Sequence, residues 1–424
     1  MPMPVCSPFC GWRYNPEKVN LEKIVAPPYD IVSEEEKFYY KSLSPYNVFH
    51  LELPQSYLKA KELVQKWIEE KIILQDPYPS LYFYELSFSF NQRRFTRKGI
   101  ILLIKLSSSK SGIILPHEKT YPKVTADRFK LLKHTFFQFS QVFGLYEDPS
   151  LESFKNWGEN FILLYEIRFK EELHRLYKLE NSFFIKKFLT FLFPKKIYIA
   201  DGHHRYATAL KFKNYLEKIW GKNEKKDYNF IVMYLCALED ENLLMLPTHR
   251  VFYLENSQNF LSKLLTYSEI TKELPPEELP RIDLHFENKS QEFGVYLPKS
   301  LKIFRLKPAF GAQIYKKDFL LWEVPLYNFL QILEEIFEKP EEKFKEEGRV
   351  EFLSDLEKIR ERVNQNLTSA VGILFPSISP LILKKIAQAN KLMPHKSTYF
   401  YPKILTGLVF NQIKGETLNL DYLK

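Results

Sequence analysis

Apolar and polar residues alternate along this chain in two rhythms. Residues 81–90, Leu-Tyr-Phe-Tyr-Glu-Leu-Ser-Phe-Ser-Phe, keep the two-residue period of a strand. Residues 99–106 predict a second strand, its hairpin partner across a short polar turn. The stretch 57–74 instead carries Leu58, Leu63, Val64, Trp67 and Ile68 at helical spacing. Residues 125–140 also predict a helix. Residues 24–32 hold a Pro pair that forces extended backbone, and Ser33 before Glu34 to Glu36 marks a helix start. Residues 160–170 and 181–193 are apolar without a clear period. Ile197-Tyr198-Ile199-Ala200 is a short buried strand that stops at Asp201, with a helix continuing from Tyr206 to Lys218.

The second half continues in the same mixed style. Residues 229–238 predict a strand and 272–290, rich in Pro and charge, a surface crossing. Strands follow at 293–297 and 301–306, helices near 318–337 and 353–366, a strand at 369–375 and a helix at 379–389. Residues 390–403 form a polar loop. Hairpin-like strands mixed with helices predict an α+β fold. At 424 residues the chain has room for two or three domains. The expected division is 1–150, 151–270 and 271–424.

Charge narrows the function classes. The net charge is +9, from 61 Lys and Arg against 52 Asp and Glu, but Lys and Glu alternate instead of forming a basic stripe. The run Glu341 to Glu347 looks like solvated helix surface of this kind. No nucleic-acid partner is expected, and a small anion is adequate to use the charge. Cys6 and Cys10 lack further ligands for a metal site, and Cys236 sits in an apolar strand as a core thiol. No apolar run reaches the length of a signal peptide or a membrane span, so a cytoplasmic location without a membrane partner is expected. With only 13 Gly in the chain, a Gly inside a polar cluster is informative.

Such a cluster is Asp201-Gly202-His203-His204-Arg205. A buried strand ends, one Gly allows a tight turn, and a helix opens with two His and an Arg. The first N–H groups of a helix and its dipole suit phosphate, and Arg205 can add a bidentate grip. A second cluster, Pro116-His117-Glu118-Lys119-Thr120, places a carboxylate beside a His after an apolar strand. It is read either as a general base or as a solvated loop. A third, Met393 to Lys403, offers Lys396, Ser397 and Thr398 in one loop, without the several Gly residues of a typical phosphate loop. His249 and Arg250 after Leu246-Pro247 are either a substrate contact or a buried, backbone-satisfied pair. Tyr29, Asp30, Arg128 and Lys403 are further candidates.

Ile199 to Tyr206, together with Ala26-Pro27-Pro28-Tyr29-Asp30, Leu246 to Arg250 and Lys396 to Lys403, resembles the bacterial and archaeal family catalogued as domain of unknown function one-thousand-and-fifteen. The motifs fall in the same order over nearly the whole chain. Asp201 to Arg205 is also similar to the phosphate loop of the ParB/sulfiredoxin superfamily. That superfamily's free-serine kinases share a Pro-His-Glu, an Asp-Gly-His-His-Arg and a late Pro-Lys-Thr-Thr. The resemblance implies a ParB/sulfiredoxin-like nucleotide-binding core in 151–270. The 1–150 region would carry Tyr29, Asp30 and the Pro-His-Glu, and 271–424 the Lys-Ser-Thr loop. It further implies that Glu118, beside His117, is the base, and that Gly202, His203, His204 and Arg205 bind phosphate. Asp201 would be catalytic or position Mg²⁺. Lys396, Ser397 and Thr398, with His249 and Arg250, would meet the substrate.

Two departures stand out. Glu118 and Asp201 are 83 residues apart, longer than the kinases imply, and Ala207 stands where the wider superfamily carries Glu. His395 is also inserted between Pro394 and Lys396. The leading expectation is a nucleotide-dependent phosphotransferase, using ATP or ADP with Mg²⁺ on a small polar substrate, a serine-like hydroxyl. A phosphatase or hydrolase using the same site and a non-catalytic nucleotide-binding module are the alternatives. The protein ligands of any metal and the oligomeric state stay open.

Overall fold

The computed structural model describes residues 4–154 and 160–420. The chain is α+β, the class the alternation predicts, with one mixed sheet and the others antiparallel. It divides into two compact units. The first comprises Met1–Pro116, Thr120–Leu243 and Pro402–Lys424, and the second His117–Lys119 and Leu244–Tyr401. Residue 150 therefore lies inside the first unit and residue 270 inside the second.

Among the described residues, nine strands of the first unit make one sheet. They are β1 Cys6–Ser7, β2 Leu81–Phe90, β3 Arg93–Lys105, β4 Ile114–Leu115, β5 Val142–Tyr146, β6 Ile162–Phe169, β7 Glu172–Leu179, β8 Ile197–Asp201 and β9 Phe230–Ala237. Their order is β4-β8-β5-β9-β3-β2-β7-β6, with β1 on β3. β8 runs parallel to β4 and antiparallel to β5, while β9 runs parallel to β5 and antiparallel to β3. The β2–β3 hairpin turns on Asn91 and Gln92, both at positive φ, as a two-residue turn matched to strand twist requires. β3 starts at Arg93, six residues before the expected 99.

The longer helices of this unit are α1 Glu34–Leu43, α2 Tyr57–Glu69, α3 Pro122–Thr135, α4 Ser182–Leu192 and α5 His203–Trp220. α1 opens on the expected Ser33, which forms a reciprocal capping box with Glu36. The two unassigned apolar stretches become β6, which pairs in a hairpin with β7, and α4. In α4, Asn181 caps the start, and Ile185, Phe188, Leu189 and Leu192 form one buried face that joins the sheet's core with Tyr206 and Ala209 of α5. The helix expected over 125–140 ends at Thr135, because Phe136 takes a left-handed φ of 57° and Phe137–Gln138 pairs as a strand.

The second unit contains a six-stranded antiparallel sheet. Its strands are β10 His249–Tyr253, β11 Ser268–Leu274, β12 Glu292–Leu297, β13 Ser300–Leu306, β14 Val350–Leu353 and β15 Ala370–Leu374, in the order β11-β13-β12-β15-β10-β14. The surface crossing expected at 272–290 is more ordered than predicted. β11 pairs with β13, and the following 3-10 segment Pro276–His285 buries Leu279 and Ile282 in the core. The helix expected from 318 starts at Pro325 (α6, Pro325–Phe337), whose ring suits a first helical position. α7, Leu356–Gln365, presents Ile359 and Val363 to the same core, each worth about 1.5–3 kcal/mol of burial. A short ribbon pairs Leu244–Leu246 with Tyr399–Tyr401 at the end of the polar loop. Among the described residues no helix is long and apolar enough to cross a membrane.

Candidate functional site

In the first unit, the site begins where β8 ends. Ile197, Tyr198 and Ile199 are fully buried, and the register with β5 shifts between Ile199 and Asp201. That irregularity re-aims the strand end, as bulges do beside functional residues. Gly202 follows at φ 87°, and α5 starts at His203. The first helical bond runs from the Tyr206 N–H to the Gly202 carbonyl, at 3.0 Å. The N–H groups of His203, His204 and Arg205 have no acceptor inside the helix, and Gly202 brings no side-chain cap. The Tyr206 hydroxyl donates to the Ser107 carbonyl at 2.7 Å and accepts from the Ser107 N–H at 3.0 Å, pinning the first turn.

Charged groups converge on Asp201. Its Oδ1 lies 3.2 Å from Lys403 Nζ and its Oδ2 3.2 Å from Arg205 Nη2. Arg205 folds back over Gly202 and also donates to the Gln141 carbonyl. The loop thus braces Arg205, and Asp201 orders two cations. Lys403 is itself held nearly buried. The preceding carbonyl, of Pro402, accepts from fully buried Arg97 at 2.8 Å, and Arg97 lies over the ring of Phe143, the cross-strand partner of Asp201. His204 Nε2 accepts the Tyr121 N–H at 2.9 Å and stacks on the Tyr121 ring, so the proton of the neutral imidazole sits on Nδ1. His203 is buried in the same turn.

Tyr29 and Arg128 join a separate network of this unit. Arg128 donates to the Glu52 carbonyl and carboxylate at 2.7 and 3.1 Å and to Asp127 Oδ2, with its guanidinium 4.5 Å from the Tyr29 ring centre. Burial pushes the Tyr29 phenol up, and neighbouring Asp30 adds to the shift. Asp30 is exposed on its turn. A cavity of about 60 Å³ is lined by Glu52, Arg128, Ser140, Arg205 and Thr208 among others. It admits small groups only, since ligand pockets run to about 300–1,000 Å³. A groove of about 790 Å³ lined by α1, the 53–57 segment and α3 shares only Arg128 with the expected residues.

In the second unit, His117 and Glu118 meet the Lys-Ser-Thr segment. The Glu118 carboxylate accepts the Lys396 N–H at 2.9 Å through Oε1, and His395 Nδ1 lies 2.6 Å from the same oxygen, off the line of a straight hydrogen bond. The Met393 N–H donates to the His117 carbonyl at 2.8 Å, and His117 Nε2 lies 3.3 Å from Thr398 Oγ1. Ser397 donates to the Pro394 carbonyl at 2.6 Å. The Ser397 hydroxyl thus closes a turn within the loop, and the Thr398 hydroxyl links the loop to His117. Lys396 takes a left-handed φ of 54°, a place where a phosphate loop would carry Gly.

Arg250 and His249 support this loop from within. Arg250 is fully buried and pairs with Glu341 at 2.9 Å. It also donates to the carbonyls of Thr248, His395 and Lys396 at 2.6, 2.8 and 3.0 Å. His249 accepts the Phe375 N–H at 3.1 Å through Nδ1. Burial, then the charge of Arg250, lower its pKa to about 3. Of the two readings open for this pair, the structure shows the buried, backbone-satisfied one. Glu341 corrects another expectation. It lies in a charge run read as solvated surface, yet it is 7% exposed and neutralises Arg250. Lys345, from the same run, lies 3.4 Å from His395 Nε2. No local pattern marks either residue, because their partners lie far away in sequence.

Among the described residues no group of three or more His, Cys, Asp or Glu is arranged to hold a metal ion. Both oxygens of Asp201 face cations, so this carboxylate fits an ordering role better than direct ligation of Mg²⁺.

These features define an α+β protein with a Gly-opened helix start flanked by cations in one unit and a loop-bound carboxylate in the other. The chain belongs to the family described as Protein of unknown function (DUF1015), matched over residues 6–332. No curated protein matches it. Among solved structures it is similar to a free serine kinase variant in complex with AMP, at 11% identity and a TM-score of 0.37, over 76% of this chain and 94% of that one. It is likewise similar to a conserved hypothetical protein from Pyrococcus furiosus, at 11% identity and a TM-score of 0.35, over 76% and 97% of the two chains. SbnI with a C-terminal truncation, from Staphylococcus aureus, aligns at 9% identity and a TM-score of 0.37, over 72% and 86%.

Proposed function

We propose that this protein is a nucleotide-dependent phosphotransferase acting on the hydroxyl of a small, serine-like amino acid. The observation that carries the reading is the start of α5. An 18-residue helix opens from a buried strand through Gly202 at φ 87°, with Lys403 and Arg205 ordered beside it by Asp201. A helix start with cations at its side is suited to nucleotide phosphates. Phosphoryl transfer asks little else of a protein than positioned phosphates, charge neutralisation and a base. The motif order shared with free-serine kinases supports Glu118 as that base. Its carboxylate is oriented through Oε1 by the Lys396 N–H. Lys396, on the same loop, supplies a positive charge for the carboxylate or phosphate of the small substrate. Mg²⁺, where used, arrives with the nucleotide and keeps mostly phosphate and water ligands.

Calorimetry with ADP and ATP, paired with phosphorus NMR of serine plus nucleotide, tests the reading. Lys403→Ala should weaken nucleotide binding about tenfold or more. Glu118→Gln should keep binding and slow transfer on the order of 10²–10⁴-fold. An absence of nucleotide binding at millimolar concentration removes the reading. Transfer that is undiminished in Glu118→Gln removes Glu118 as base. Release of phosphate from phosphoserine without nucleotide would instead identify a phosphatase.

A further inference from the structure

His395 is the residue inserted between Pro394 and Lys396, and the structure places a charged group close to each of its ring nitrogens. Nδ1 lies 2.6 Å from Glu118 Oε1, and Nε2 lies 3.4 Å from Lys345 Nζ. The ring meets the edge of Phe352, with centroids 5.8 Å apart at 77°. Its carbonyl is held by Arg250 at 2.8 Å. An ammonium group can only donate, so Lys345 selects the tautomer whose Nε2 is bare. The ring proton then sits on Nδ1, facing the carboxylate. A carboxylate held by an imidazole whose other nitrogen is also fixed has its orientation set from outside the reacting atoms.

We propose that His395 is a positioning residue for Glu118: Lys345, His395 and Glu118 form a chain that fixes one imidazole tautomer and aims the carboxylate. The proposal rests on the reading of Glu118 as the base. The chain moves no proton itself. It seats Oε1 against the close-lying imidazole edge while the Lys396 N–H donates to it, so the hydroxyl proton is taken by a carboxylate in a fixed pose. Misplacing a catalytic group by about 1 Å can cost on the order of 10²-fold in rate.

The test uses the full chain and three variants. His395→Phe keeps the contact with Phe352 but removes the donor. His395→Asn places an amide N–H where Nδ1–H stood. Lys345→Met frees the tautomer. The expected result is a kcat lowered about 30- to 100-fold in His395→Phe, with nucleotide Kd and acceptor KM within about threefold, and recovery to within about tenfold of wild type in His395→Asn. Nitrogen NMR of histidine-labelled protein should show His395 as the Nδ1–H tautomer in wild type and a mixture in Lys345→Met. A His395→Phe enzyme as fast as wild type overturns the proposal. So does a His395→Asn enzyme no better than His395→Phe, or an Nε2–H tautomer in wild type. If no phosphotransfer is found at all, the reading of Glu118 falls, while the NMR result still decides whether the chain exists.

Discussion

The two loops that carry the candidate chemistry are built by opposite means. The loop at 201–205 takes its shape from its own residues: a Gly at φ 87°, an Asp that orders an Arg four positions on, and a helix that starts at once. The loop at 394–398 has no Gly and takes a left-handed turn at Lys396. It is held by side chains remote in sequence, with Arg250 separated by 145 and 146 residues from the carbonyls it binds and Glu118 by 278 from the N–H it accepts. The difference shows two ways to make a rigid loop. One selects a residue for which the backbone conformation is easy. The other imposes the conformation from outside and depends on whatever imposes it.

The largest effect should come from removing that imposed support. Arg250→Ala leaves Glu341 buried without its partner and three carbonyls without their donor. Breaking a buried pair on one side costs about 3–5 kcal/mol. Urea unfolding of the full chain should show a loss of this size, and Arg250→Met with Glu341→Leu should recover most of it. A loss below about 1 kcal/mol in Arg250→Ala would show that the loop holds itself, and the contrast would disappear.

His249 makes the same support sensitive to acid. Its folded pKa is about 3, set by burial and then by Arg250, against about 6.5 in an unfolded chain. Between these values the unfolded state takes up a proton that the folded state refuses. Stability from this group is whole above about pH 7 and falls as pH drops towards 3, by about 2 kcal/mol at pH 5. His249→Asn retains a side-chain acceptor for the Phe375 N–H and removes the titration. Comparing urea midpoints at pH 7.5 and 5 should show a smaller acid loss in the variant, by about that amount. Equal losses in the two proteins would mean that His249 is not held neutral.

The same contrast decides what was legible in the sequence. The hairpin at 81–105, the helix start at Ser33 and the strand-Gly-helix turn at Asp201 each depend on neighbours within a few positions, and each was readable. Local reading misjudged whatever is fixed from afar. Glu341 looked like solvated surface because its partner is 91 residues away. Thr398 lies against His117, 281 residues away, a pairing that nothing near it in sequence shows. The helix expected to 140 stops early because Phe136 caps it in a left-handed conformation that few aromatic residues adopt. Asp201, Arg205 and Lys403 do come together, but as a braced cluster, which spacing alone could not distinguish from ligand-facing groups.

The smallest effects test the comparison most directly, because they exchange the two solutions. In Gly202→Ala the new Cβ would lie 2.9 Å from Arg205 Nε, at a φ of 87°. The left-handed backbone alone costs about 1–2 kcal/mol. The variant should lose at least that much in urea unfolding and bind nucleotide more weakly as the guanidinium is displaced. Lys396→Gly makes the reverse change. It relieves a left-handed residue at 54° but adds backbone freedom to the unfolded chain, which offsets about 0.5–1 kcal/mol. Its net effect should be a gain of less than about 1 kcal/mol, while the lost charge weakens the small substrate. A clear loss of stability in Lys396→Gly would mean that the lysine side chain itself holds the loop. The support would then be local after all, and the two loops would differ in residue type but not in kind.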